Sequence, residues 1–139
     1  MPTYMLDADT LCYILRRRDD RDRRVLSQLR RVLSENATVI LCPMVLYEAL
    51  RGLIRNKSVG QLRFLGELSR ALAWDDLRKP DWEAAAALWA ERSLKHRSPG
   101  NADTIIAAHA LRHGAIVVTG NEKHFKDLGV PIENWTSPV

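Results

Sequence analysis

The chain has 139 residues, of which 46% are hydrophobic and 27% charged, and its formal net charge at pH 7 is +4. This length and composition predict a single globular domain over residues 1–139 and exclude a disordered or fibrous protein. No apolar run in the sequence approaches the roughly 20 residues that a membrane-spanning helix needs, and the first residues lack the basic region and cleavage site of a secretory signal. We therefore expect a cytoplasmic protein with no membrane partner.

Strands and helices are predicted to alternate along the chain. Short apolar and β-branched runs predict strands over residues 3–7, 37–42, 72–74 and 115–119, and an edge segment over 130–135. Apolar residues at helical spacing predict helices over 10–18, 22–35, 43–56, 58–71, 81–97 and 102–113, and a helical turn or two over 121–127. Because strands that alternate with helices form parallel sheets covered on both faces, the predicted fold class is α/β: a three-layer sandwich with a central, mostly parallel sheet.

Several residues mark the predicted helix ends. The first helix is expected to start after Asp9 and Thr10, and Pro43 suits the first turn of the third helix. Asn101 offers a cap for the helix over 102–113, and Gly114 is expected to end that helix.

The two cysteines, Cys12 and Cys42, have no metal-ligand spacing with any of the four histidines. We interpret them as small, buried, apolar side chains in a reducing compartment. They therefore predict no zinc site.

Positive charge is concentrated near the N-terminus. Residues 16–31 contain eight arginines against three aspartates. Because arginine side chains bind phosphates in a bidentate way, Arg16, Arg17 and Arg18 are candidates for an RNA or partner surface. The same pattern is also typical of a solvated helix edge with internal ion pairs, or of a surface for an acidic protein.

A carboxylate stands at the end of the first predicted strand. Residues 4–7 read Tyr-Met-Leu-Asp, and Asp9 follows two residues after Asp7. Ligands of open α/β sheets bind outside the carboxyl ends of the strands, and an aspartate is seldom buried unless it is paired or bound to metal. Asp7 is therefore a candidate functional residue.

Glu48 is the second candidate acid, because it lies inside the otherwise apolar helix over 43–56. Gly52, four residues later, is on the same helix face and leaves room above the carboxylate. The alternative is a surface glutamate that pairs with Arg51 or Arg55.

Asp103 is the third candidate acid. It falls in the first turn of its helix and shares a face with the small Ala107 and Ala110, so it can point into a cleft. Alternatively, it only stabilises the helix N-terminus through the macrodipole. Thr119 and Asn121 follow the next predicted strand and emerge at the same sheet edge if that strand is parallel to the first, although Asn121 is also a candidate helix cap.

Clustered carboxylates repel one another, so they persist where a divalent cation neutralises them. Ligation by oxygen alone selects Mg²⁺ or Mn²⁺. Such ions activate water and stabilise the leaving oxygen of a phosphodiester, while a basic rim holds the nucleic-acid backbone. The acids and the arginines together predict a metal-dependent nuclease.

Four segments in order resemble the PIN-domain family, and most closely the VapC-type toxins of toxin–antitoxin modules. They read YMLDAD, YEALRG, DTIIAAHA and VVTGNEKHF and begin at residues 4, 47, 103 and 117. The resemblance extends from residue 4 to about residue 135. It implies a parallel α/β sandwich and a Mg²⁺- or Mn²⁺-dependent endoribonuclease that leaves a 5′-phosphate and a 3′-hydroxyl.

The resemblance also implies roles for individual residues. The family's invariant acids fall on Asp7, Glu48 and Asp103, which would hold the metal and orient the attacking water. The family's fourth position, often an aspartate, falls on Asn121, which adds no charge and leaves the number of tightly bound metals open. Asp9 either supplies the missing charge or caps the first helix, and we favour a cap or a supporting contact. Thr119 would help to orient the acids.

The same resemblance implies three partners: RNA as the substrate, a cognate antitoxin protein, and a second copy of the chain in a homodimer. The helices near the N-terminal arginines and over residues 43–71 are the expected protein-binding surfaces.

Two other functions stay open. Asp7, Asp9 and Thr10 also resemble the nucleophile motif of haloacid-dehalogenase-type phosphatases, in which Asp7 would attack phosphorus and Asp9 would act as acid and base. That family needs a later lysine and an acidic pair, and only twenty residues follow Thr119. The other alternative is an RNA- or protein-binding module with a catalytically weak acid site, for which Asn121 is the best support.

Overall fold

The computed structural model describes residues 1–95 and 100–138. Its strands are β1 (Thr3–Leu6), β2 (Thr38–Leu41), β3 (Ala73–Trp74), β4 (Ile116–Val118) and β5 (Ile132–Glu133). They form one sheet in the order β3-β2-β1-β4-β5, and every neighbouring pair is parallel. The first strand of the chain therefore lies at the centre of the sheet.

Helices connect these strands and flank the sheet: α1 (Ala8–Arg16), α2 (Asp20–Ser34), α3 (Pro43–Arg55), α4 (Val59–Leu68), α5 (Lys79–Leu94), α6 (Asn101–Arg112) and α7 (Glu122–Phe125). Because crossovers between parallel strands are right-handed in nearly all proteins, this strand order implies that the helices before β3 lie on one face of the sheet and those after it on the other. The predicted three-layer α/β class is confirmed. Within the described ranges, no helix is both long and apolar enough to cross a membrane.

The predicted elements are present, and the differences lie at their ends. α5 ends at Leu94, and residues 96 and 97 of the predicted helix lie outside the described part of the chain. α1 begins at Ala8, two residues earlier than predicted, because Asp7 is its N-cap and accepts a 2.8 Å hydrogen bond from the Thr10 N–H. The expectation that Asp9 caps this helix is therefore wrong.

The predicted cap of α6 is also wrong. This helix begins at Asn101, and Gly100 occupies the N-cap position. Gly114 ends the helix as predicted, with a φ of +61° that favours glycine. Cys42 is buried as predicted, whereas Cys12 is only partly buried, and both are free thiols.

The centre of the sheet forms the main core. Met5 and Leu6 of β1 are fully buried, and burial of each such side chain contributes about 1.5–3 kcal/mol. Two hydrogen bonds hold the end of β1 against β4, because the Asp7 N–H and the Thr10 hydroxyl both donate to the Val118 carbonyl at 3.0 Å. This double contact fixes the place where Asp7 leaves the sheet.

A buried carboxylate ties α1 to α2. Asp22 has no exposed surface, and the Arg16 guanidinium donates two hydrogen bonds of 3.0 Å to its oxygens. The Arg18 N–H adds a third bond of 2.9 Å. Burial opposes the ionisation of Asp22, but these bonds outweigh it and lower the pKa from 3.8 to about 2.

We expect Asp22 to make the stability of the protein depend on pH in the acidic range. Because its pKa is lower in the folded chain than in the unfolded chain, its contribution is fully present above the unfolded pKa of about 3.9 and is lost as the pH falls through about 2. The loss is on the order of 2 kcal/mol. Urea denaturation between about pH 5 and about pH 2 measures it. Asp22→Asn should be less stable at neutral pH and should lose less stability over this range. If the free energy of unfolding changed equally with pH in the two proteins, the assignment to Asp22 would be contradicted.

Candidate active site

Asp7 and Thr119 follow two neighbouring parallel strands, β1 and β4, so both lie at the carboxyl edge of the sheet. Asp7 is 5% exposed and Thr119 is fully buried. Burial raises the pKa of Asp7, whereas hydrogen bonds from Thr119 and Thr10 lower it. The structure therefore brings Thr119 into contact with the carboxylate that it is predicted to orient.

A cleft of about 370 Å³ opens beside Asp7. Glu48 on α3 and Asp103 on α6 line this cleft together with Asp7, so three elements that are distant in sequence bring the predicted acids together. Asp9, in the first turn of α1, lines it as well. The other lining residues are Ala8, Gly100, Asn101, Ala102, Ile106 and His124.

Negative charge accumulates in this cleft. Burial raises the pKa of both Glu48 and Asp103, and neighbouring carboxylates raise both pKa values further. Arg51 lowers the pKa of Glu48, and His124 lowers that of Asp103. Arg51 Nη2 lies 3.9 Å from Glu48 Oε2 and its side chain is 60% exposed, so this ion pair is weak. The surrounding side chains therefore balance the charge of the acids only in part.

Two glycines leave space around the acids. A Cβ atom at Gly52 would meet no described atom within 4 Å, which agrees with the predicted room beside Glu48. A Cβ atom at Gly100 would lie 3.1 Å from Asp103 Oδ2, so a larger residue there would press against this carboxylate.

Asn121 is connected to the cleft indirectly, through His124. Its N–H donates to Thr119 Oγ1 at 2.9 Å, and its Nδ2 atom lies 3.0 Å from His124 Nε2. His124 Nδ1 in turn lies 3.5 Å from Asp103 Oδ2. Although Asn121 precedes α7, its side chain makes no capping hydrogen bond within the described residues. The structure places His124 between Asn121 and the acids.

His124 is a cleft residue that our sequence reasoning missed, although its position three residues after Asn121 is a signal that could have found it.

The three arginines predicted to bind RNA or a partner have different surroundings. Arg16 is held by the buried Asp22 at the corner between α1 and α2. The Arg17 guanidinium lies 4.4 Å from the centre of the Phe64 ring, and Arg18 is exposed. Arg17 also lines a groove with residues of α2: Arg23, Leu26, Ser27 and Arg30. A contact with RNA or a partner stays a prediction for this surface, and the geometry favours Arg17 and Arg18 over Arg16.

Fold and site together define a class of protein: an α/β sandwich with a five-stranded parallel sheet and a cluster of carboxylates at the carboxyl edge. The chain matches the family model of the PIN domain over residues 4–131, and it belongs to the PIN domain family. The family predicted from the four sequence segments is confirmed.

Known relatives match almost the whole chain. Ribonuclease VapC2 of Rickettsia felis is 28% identical over 138 residues, which cover 95% of this chain and 97% of that protein. The crystal structure of VapBC2 from Rickettsia felis bound to a promoter DNA fragment matches with a TM-score of 0.84 and 27% identity, over 96% of this chain and 98% of that chain. DNA-bound VapBC from Salmonella typhimurium matches with a TM-score of 0.76 and 25% identity, over 97% of this chain and 99% of that chain.

Proposed function

We propose that the chain is a metal-dependent endoribonuclease that hydrolyses RNA phosphodiester bonds, and that it is the toxin of a toxin–antitoxin pair. The observation that carries this proposal is the convergence of Asp7, Glu48 and Asp103 from three elements into one cleft at the carboxyl edge of the sheet. Membership of the PIN domain family and the similarity to ribonuclease VapC2 support the same activity.

The donor set of the cleft fits a divalent cation that prefers oxygen ligands. Asp7, Glu48 and Asp103 offer carboxylate oxygens, and burial, together with repulsion from neighbouring carboxylates, raises the pKa of Glu48 and Asp103. We propose that these three residues hold Mg²⁺ or Mn²⁺. When bound, the ion supplies positive charge against the negative charge that develops on the phosphate during hydrolysis.

The side chains of the cleft prepare the water and the substrate. Glu48 and Asp103 place carboxylate oxygens in the cleft, and such oxygens accept hydrogen bonds, so both residues are suited to orient a water molecule. Thr119 and the Thr10 N–H hold Asp7 in one orientation. Attack of the water on phosphorus in line with the departing 3′ oxygen would leave a 5′-phosphate and a 3′-hydroxyl.

The proposed partners come from the solved relatives. Two of these are VapBC complexes bound to DNA, one of them to a fragment from their own promoter. By this similarity we propose that the chain binds a cognate antitoxin, forms a homodimer and acts on RNA in the cytoplasm. Arg17 and Arg18 are the proposed contacts to the antitoxin or to the RNA.

Incubation of the purified chain with single-stranded RNA tests the proposed activity. We expect cleavage with Mg²⁺ or Mn²⁺, no cleavage in EDTA, and new ends that carry a 5′-phosphate. A small phosphate monoester serves as the comparison substrate and should not be turned over. RNA binding without cleavage under all divalent ions would favour the binding module, and turnover of the monoester alone would favour the phosphatase.

A further inference from the structure

A second group of metal-ligating side chains lies outside the acidic cleft. His109 and His113 stand one turn apart at the end of α6, and Asp75 directly follows β3. Asp75 Oδ2 is 3.0 Å from His109 Nε2 and 2.8 Å from His113 Nε2, and the three ligand atoms lie within 4.8 Å of one another. We call Asp75, His109 and His113 the Asp75 cluster.

The Asp75 cluster is separate from the candidate active site. Asp103 lies in the first turn of α6, whereas His109 and His113 follow it by six and ten residues. That spacing corresponds to about 9 and 15 Å along a helix axis. None of the three cluster residues is among the described residues that line the acidic cleft.

We propose that the Asp75 cluster binds a divalent transition-metal ion, with Zn²⁺ as the ion that fits it best. Histidines at positions i and i+4 of a helix present both imidazoles on one face, as in known zinc-binding helices. Two imidazole nitrogens and one carboxylate oxygen select zinc and its first-row neighbours, whereas the oxygen ligands of the acidic cleft select Mg²⁺ or Mn²⁺. The two sites are therefore distinguished by the ion that each prefers.

The burial of the Asp75 cluster suits such an ion. His109 is fully buried, whereas the side chains of His113 and Asp75 are 26% and 23% exposed, so an ion can enter from the solvent side. Ligand atoms around a tetrahedral zinc ion lie ~3.3 Å apart, slightly farther than the nitrogen–oxygen contacts of the cluster, so small side-chain rotations make room.

Arg112 is the main group with which an ion must compete, because the other arginine near Asp75, Arg78, is exposed and lies 3.8 Å from Asp75 Oδ1. The Arg112 Nη2 atom lies 2.6 Å from Asp75 Oδ2. The same guanidinium binds the buried Asp81 through two hydrogen bonds of 2.7 and 2.9 Å. Arg112 can therefore release Asp75 to a metal ion and remain held by Asp81. A bound ion would join the segment after β3 to the end of α6.

Calorimetric titration with Zn²⁺ tests this proposal in an Asp103→Asn background, which weakens the acidic cleft. We expect the Asp103→Asn protein, which is the parent of the variants below, to bind one Zn²⁺ per chain. Its Tm should rise with Zn²⁺ and should not rise with Mg²⁺. In the same background, His113→Asn should weaken Zn²⁺ binding at least about tenfold and remove the rise in Tm. The Tm of each variant in EDTA verifies that it is folded.

Two further variants keep the test decisive if His113→Asn fails to fold. Asp75→Asn should weaken Zn²⁺ binding in the same way, whereas Asp76→Asn, which changes the adjacent exposed carboxylate, should leave the affinity unchanged. The proposal is overturned if the parent binds no Zn²⁺. It is equally overturned if the folded cluster variants bind Zn²⁺ as tightly as the parent.

Discussion

Replacement of Asp103 by asparagine is expected to reduce metal-dependent RNA cleavage by more than about a hundredfold. The substitution keeps the size of the side chain but removes one of the three carboxylates that line the cleft. Loss of a group that merely supports a metal ligand already reduces affinity or activity by about 10–100-fold, so loss of a proposed ligand should exceed this. Initial rates on a fluorescent RNA substrate measure the effect.

Asp7→Asn should reduce cleavage to a similar extent, and it tests the same site with little risk to the fold. Asparagine is as good an N-cap as aspartate, so the hydrogen bond from the Thr10 N–H is kept. Glu83→Gln, which changes an exposed carboxylate on α5, is the matched control and should retain full activity. Full activity in both Asp7→Asn and Asp103→Asn would show that these acids do not form the active site.

The largest loss of stability is expected from Arg112→Ala. Asp81 is 2% exposed, and Arg112 binds both of its oxygens while it also reaches Asp75. Removal of one partner of a buried ion pair costs about 3–5 kcal/mol, because the remaining charge is left buried and unpaired. We therefore expect the free energy of unfolding in urea to fall by about this amount.

Arg23→Ala is the matched control for this variant. Arg23 pairs with Asp20 at 2.8 Å, but the two side chains are 62% and 87% exposed. Exposed ion pairs contribute less than about 1 kcal/mol, so this control should change stability little. If Arg112→Ala were no more destabilising than Arg23→Ala, the pairing of Asp81 would not be a major contribution to the fold.

The sheet and the acids could be predicted because their signals are local. The apolar run that ends at Asp7 shows both a buried strand and its carboxyl end, and parallel strands bring the residues at their carboxyl ends to one edge of the sheet. Glu48 and Asp103 stand out as charged residues within apolar helical segments. Their meeting in one cleft could be predicted only from the family resemblance, because the alternation of strands and helices does not set the order of the strands.

Contacts between distant or closely competing groups could not be predicted. Asp7 and Asp9 are both good caps, and only the structure decides that Asp7 accepts the Thr10 N–H. The arginine run left internal ion pairs open as an alternative, but it did not indicate that Arg16 would be the arginine that turns inward to Asp22. Likewise, a search for cysteine–histidine spacing could not find the Asp75 cluster, because Asp75 lies 34 residues before His109.

A crystal structure grown with Mn²⁺, with the ion located by anomalous scattering, tests most directly whether Asp7, Glu48 and Asp103 share one cation site. We predict an anomalous peak in the cleft, ~2 Å from carboxylate oxygens of these three residues. No peak in the cleft, at a Mn²⁺ concentration that supports RNA cleavage, would contradict the proposed active site.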